Sequence, residues 1–100
     1  MDQKQLYDAI IDNKDTIVNQ LLNDGVNPNI PLLYGHSALY WSILKGNLNI
    51  VKLILNKNYI PTNNEIIAAK DKGELHKEIY QLVKDYHIEK NKNKSFVIEI

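Results

Sequence analysis

The side chains of this 100-residue chain that could do acid–base or metal chemistry are three histidines, twelve carboxylates and twelve lysines. Cysteine is absent, which excludes disulfides, thiolate metal sites and a thiol nucleophile. His36, His76 and His87 do not pair at a zinc spacing, and no acidic partner stands four residues away on a common helix face. Asp8, Asp12 and Asp15 run along a helix and its turn, which reads as a solvated face rather than an acid–base pair. No nucleophile elbow or phosphate-cradling glycine loop occurs, and the four glycines all fall at turns. We therefore expect no catalysis, no metal and no cofactor. Lys90, Lys92 and Lys94 alternate and could touch phosphate. Net charge is zero and arginine is absent, which argues against a nucleic-acid partner.

The composition bounds the rest. A chain of 11.6 kDa makes one domain or a short array. No run approaches the roughly 18 apolar residues of a membrane span, and no apolar leader segment is visible, so a cytoplasmic, non-membrane protein is expected. Thirteen Asn, fourteen Ile and twelve Lys without Arg fit the codon bias of an A/T-rich genome.

The elements that must position these side chains come in copies. Leu6-Tyr7-Asp8-Ala9-Ile10 recurs as Leu39-Tyr40-Trp41-Ser42-Ile43, a shift of 33 residues. The same shift lays Ile17-Val18 on Ile50-Val51, Leu21-Leu22 on Ile54-Leu55, Val26 on Tyr59 and Pro28 on Pro61. Gly25 falls on Asn58, two residues that tolerate a left-handed helix stop. Apolar residues in each copy step at helical spacing around a short polar break, giving helix, tight turn, helix. Between the copies, Asn27 to His36 holds two prolines and Gly35, which reads as an extended finger ending in a turn. Ser37 is then the N-cap of the next helix.

On these residues the chain resembles the ankyrin repeat family. Gly35-His36-Ser37-Ala38-Leu39-Tyr40-Trp41-Ser42-Ile43-Leu44-Lys45-Gly46, continuing through Leu55, follows the family pattern without a gap. It departs at Ser37 for Thr, Ala38 for Pro, Tyr40 for His, Ser42-Ile43 for Ala-Ala and Asn47 for His. The Tyr40 exchange removes an imidazole that commonly bonds neighbouring repeats in that family. The first copy lacks a preceding finger, as a capping repeat would. A third copy is degenerate. Glu65-Ile66-Ile67-Ala68-Ala69 and Ile79, Leu82, Val83 stand for its two helices, with Thr62 and Glu65 as a capping box and a lengthened turn at Lys72-Gly73.

The resemblance implies an all-α ankyrin-type solenoid of helix–turn–helix repeats with a finger-like loop. Repeats are expected near 3–29, 30–61 and 62–87 in a domain of residues 1–88, followed over 89–100 by a polar linker, or frayed helix end, and an apolar tail. Helices are predicted near 3–13, 15–24, 37–45, 48–57, 63–72 and 74–87. The predicted core is Leu6, Ala9, Ile10, Val18, Leu21, Leu22, Leu39, Ile43, Val51, Ile54, Leu55, Ala68, Ala69, Ile79, Leu82 and Val83. Ser95 to Ile100 has strand preference. The family also implies a non-enzymatic, monomeric protein-binding module serving as adaptor, inhibitor, effector or immunity protein, with delivery to a host cell as one route. Its binding surface would be Leu33, Tyr34, His36, Trp41, Leu44 and Lys45, extended by Asp8, Ile11 and Asp12. Trp41 follows the core leucine Leu39 by two residues, about 200° around the helix, so it should face the groove or the base of the finger. The alternative is a self-associating module that pairs strands through residues 95–100.

Overall fold

The computed structural model describes residues 3–57, 59–71 and 77–99, with side chains through Glu89. Six helices are present: α1 (Gln3–Ile11), α2 (Asp15–Asn23), α3 (Ala38–Lys45), α4 (Leu48–Leu55), α5 (Asn63–Asp71) and α6 (Lys77–Glu99). They pair as α1·α2, α3·α4 and α5·α6. The first helices form one row, α1 against α3 against α5, and the second helices form another, α2 against α4 against α6. This is the all-α helical-repeat solenoid that the 33-residue shift predicts. Asn58, the Lys72-Gly73 turn, His76, the expected start of the sixth helix and Ile100 lie outside the described residues.

The helix ends show why the copies repeat. At the end of α3, Gly46 N–H donates to Ile43 O at 2.9 Å and Asn47 N–H to Ser42 O at 3.2 Å. At the end of α1, Asn13 N–H donates to Ile10 O at 3.1 Å and Lys14 N–H to Ala9 O at 2.8 Å. Both are the paired bonds of a left-handed helix stop, and both need positive φ: 69° at Gly46 and 56° at Asn13. Asn13 and Gly46 are 33 residues apart, and each is among the residue types that reach this conformation at low cost. Starts are equally marked. Ser37 Oγ accepts from Tyr40 N–H at 2.9 Å, and Asn47 Oδ1 accepts from Ile50 N–H at 3.1 Å.

Stacking buries what no single repeat could. Every predicted core side chain is buried except Ala68 and Leu82, which are half-buried at its margin. Val26, Ala38, Ile50, Tyr59 and Pro61 join the core as well. Ile17 and Ile50 are equivalent by the repeat, yet Ile17 is 48% exposed and Ile50 fully buried. The difference is α2, which lies against α4, whereas among the described residues no earlier helix of the second row lies against α2.

Glu65 is the unexpected member of this core. Set against Leu6, Ala9, Ile10 and Leu39, Ser42, Ile43, the series Glu65, Ala68, Ala69 puts a carboxylate where earlier repeats hold a leucine. It is buried and accepts from Thr62 N–H at 2.7 Å, Thr62 Oγ1 at 3.1 Å, the Ser37 hydroxyl and the Tyr59 phenol. The first two, with Glu65 N–H to Thr62 Oγ1 at 3.4 Å, form the capping box read from the sequence. The other two reach back to the preceding finger end and loop. A buried charge is tolerated only when it is bonded in this way.

α6 continues through Glu99, so residues 89–99 have a helical backbone where a polar linker or frayed helix end and a strand-prone tail were expected. No Gly or Pro interrupts residues 77–99. Strand preference is expressed only against a neighbouring strand, and the described residues contain none.

Two measurements follow. Leu39→Ala empties a fully buried site at the middle of the stack and should cost about 2–5 kcal/mol in urea unfolding. Burial, chiefly, and the adjacent Glu65 carboxylate raise the Tyr59 phenol above its ordinary range, against a smaller lowering by Ser37. A raised phenol contributes stability that is complete below the unfolded value of about 10 and is lost as pH rises past it. Stability should therefore fall above about pH 10, and Tyr59→Phe should fall less steeply over the same range.

Candidate protein-binding surface

The finger between the first two repeats is a built loop. Asn27 Oδ1 accepts from Asn29 N–H at 2.9 Å and opens the turn that leads into it. Leu32 N–H donates to His36 O at 2.7 Å, and Gly35 N–H donates to Leu32 O at 3.1 Å, closing a single 3₁₀ turn over Leu33–Gly35. Tyr34 sits at its apex with φ 60° and ψ 20° and is 80% exposed. A left-handed tyrosine is strained, because its Cβ crowds the following carbonyl.

Trp41 on α3 holds the finger from below. Its Nε1–H donates to Leu33 O at 3.3 Å. Its ring meets Tyr7 edge-on at 5.2 Å, Tyr34 at 6.4 Å, His36 at 5.7 Å and Tyr40 at 6.1 Å. His36 in turn stacks on Tyr40 at 4.1 Å with 17° between the rings. Edge-to-face and offset pairs at these separations are attractive beyond the area they bury. Trp41 is half-buried and packs on the margin of the core. It therefore supports both the finger and the first-helix row, and a truncation there would disturb folding as well as any surface role.

The structure thus gathers Tyr34, His36 and Trp41 into one group, with Leu33 exposed beside them. Leu44 and Lys45 follow Trp41 by three and four residues on α3, so they continue its face along the helix. Leu44 is half-buried and Lys45 exposed. On the neighbouring α1, Asp8 holds the position equivalent to Trp41. Its carboxylate pairs with Lys4 at 3.0 Å. Half-buried Ile11 follows on that face, and beyond it exposed Asp12 begins the turn after α1. Asp15 stands apart, accepting from Asn47 Nδ2 at 2.9 Å and Asn49 Nδ2 at 3.3 Å.

Tyr7 and Tyr40 were not among the expected surface residues. Their signal was present, since they are 33 residues apart and each immediately precedes a surface position. The imidazole that Tyr40 displaces is replaced as a tie between repeats by other groups. Asn47 Nδ2 donates to Asn13 Oδ1 at 3.1 Å, Lys57 Nζ to Asn23 Oδ1 at 2.7 Å, and Tyr86 OH to Asn56 Oδ1 at 3.0 Å. His87 Nδ1 lies 2.7 Å from Pro61 O, so its place is structural.

No described helix is long and apolar enough to cross a membrane. A family model described as ankyrin repeats (3 copies) matches residues 6–94. An ankyrin repeat protein of fowlpox virus (strain NVSL), FPV022, is 40% identical over 47 residues, which is 47% of this chain and 8% of that protein. The chain therefore spans less than a tenth of that relative's length. Stacked helix pairs, a 33-residue step and a family match over most of its length agree: this chain belongs to the ankyrin repeat family.

Proposed function

We propose that this chain is a non-enzymatic protein-binding module that engages a protein partner through the finger tip and the exposed face of the first-helix row. One observation carries the reading: a tyrosine that is 80% exposed is held in a strained left-handed turn by a buttressing tryptophan. Strain of this kind persists only where the surroundings impose it, and it concentrates at ligand-clamping positions. Tyr and Trp are also the side chains most enriched among interface hot spots. Leu33 adds exposed apolar area beside the ring, and Leu44, Lys45, Asp8, Ile11 and Asp12 extend the face along two helices. Ankyrin repeats generally serve as protein–protein interaction modules, which agrees with this reading. An adaptor, an inhibitor, an effector and an immunity protein would all use such a face.

The test separates stability from binding at Tyr34. A benzophenone side chain in place of Tyr34 should crosslink a partner from source lysate, whereas the same group in place of Gln20 on α2 should not. With the partner in hand, Tyr34→Gly should weaken binding at least tenfold, since truncating an anchor commonly costs about 2 kcal/mol or more. The same change should leave stability equal or raise it by up to about 1 kcal/mol, because glycine adopts positive φ without strain. Unchanged binding would remove the finger tip from the interface.

A further inference from the structure

The registration that aligns Leu6, Leu39 and Glu65 also sets Ile67 of α5 at the position of Trp41 on α3. Ile67 is 56% exposed, although Ala69, two residues on, is fully buried. It carries onto α5 the apolar band that half-buried Ile11, Trp41 and Leu44 make on α1 and α3. One edge of that band is charged. Asp12, Lys45 and Asp71 are equivalent residues at the ends of the three first helices, and all are exposed. Their order across the row is acid, base, acid. Among the described residues none of the three enters an ion pair.

We infer that the first-helix row takes an amphipathic helix of the protein partner, lying across α1, α3 and α5. Its apolar ridge covers Ile11, Trp41, Leu44 and Ile67. Beside the ridge, a basic, an acidic and a basic residue at seven-residue steps face Asp12, Lys45 and Asp71. The step selects a helix over an extended segment. Packed helices lie about 8–10 Å apart, so the three charges repeat at that distance. A helix crossing them presents the same face every seven residues, about 10.5 Å along its axis. A strand presents the same face about every 6.6 Å and the opposite face at about 10 Å, so it falls out of step with the charges. About fifteen residues of helix span the row. Among the described helices α6 alone is that long, and no acidic residue in it has lysines seven residues before and after. A second copy of this chain is therefore not the occupant. The inference rests on the first-helix row being a protein-docking face and names the kind of segment that docks there.

The experiment titrates the ¹⁵N-labelled full chain with synthetic peptides of about five helical turns, stapled on the solvent side. All share one leucine ridge. They differ at three positions seven residues apart, which carry Lys–Glu–Lys, Glu–Lys–Glu or Lys–Lys–Lys. The Lys–Glu–Lys peptide should shift the amides of Ile11, Leu44, Lys45 and Ile67 and leave those of α2 unmoved. The Glu–Lys–Glu peptide should bind about tenfold more weakly at low salt, as three exposed pairs turn repulsive. The gap should close at about 1 M salt, where screening is nearly complete. Lys45→Glu makes the charged edge wholly acidic at an exposed position, so the variant should prefer the Lys–Lys–Lys peptide to Lys–Glu–Lys. Absence of shifts on the row overturns the inference. So does equal affinity of the native chain for Lys–Glu–Lys and Glu–Lys–Glu, or an unchanged preference in the variant. An unstapled copy with a central proline that binds as tightly overturns it too. Failure here with Tyr34 crosslinking intact refutes the docked helix alone. Peptide binding with no crosslink at Tyr34 refutes the finger-tip reading instead.

Discussion

The structure depends on one constraint: no helix pair in it can bury its own apolar face. Leu6, Ala9 and Ile10 on α1 are covered because α3 lies alongside, and Val18, Leu21 and Leu22 on α2 because α4 does. Ile17 and Ile50 display the constraint within a single position, exposed where no described second-row helix comes before and fully buried where α2 does. A stack of this type draws its stability from interfaces between neighbours as much as from each unit. The middle repeat, with an interface on both sides, is the one on which the others rest.

The same constraint explains the polar ties and the finger. Neighbouring repeats must meet in register, and Asn13, Asp15, Asn47 and Asn49 bond across one seam while Ser37, Tyr59 and Glu65 bond across the next. Glu65 substitutes charge-assisted bonds for the leucine packing of earlier repeats. Its donors come from the helix cap, the loop and the finger end, so these segments are fixed together. Trp41 does for the finger what Glu65 does for the loop, using ring contacts and one bond to Leu33 O. The surface we assign to binding is thus mounted on the stack rather than hung from it, and preorganisation of this sort lowers the ordering cost of association.

Much of the architecture was legible in the residues. The 33-residue shift located α1 to α4 within one or two residues, the capping residues Ser37 and Thr62 were named correctly, and most of the core followed from helical spacing, with Val26, Ala38, Ile50 and Tyr59 missed. What was not legible has physical causes. Glu65 was legible as the capping partner of Thr62 but not as a buried group, because its type is rarely buried and its two further donors, Ser37 and Tyr59, lie 28 and six residues away. The helical backbone beyond residue 88 ran against the strand preference of Phe96, Val97 and Ile98, a preference that needs a partner strand. For the surface, the grouping of Tyr34, His36 and Trp41 could be anticipated from the family's plan. The left-handed turn at Tyr34 and the reach of Tyr7 from the adjacent repeat depend on loop closure and on the stacking distance, which spacing alone does not specify.

Native-state hydrogen exchange on the full chain tests the stacking account most directly. Amides of α3 and α4, buried between two neighbours, should exchange slowest and only through global opening, with α1, α2 and α5 opening earlier at lower free energy. Slowest exchange in α1 or in α5, with α3 opening before them, would contradict a fold that rests on its middle repeat.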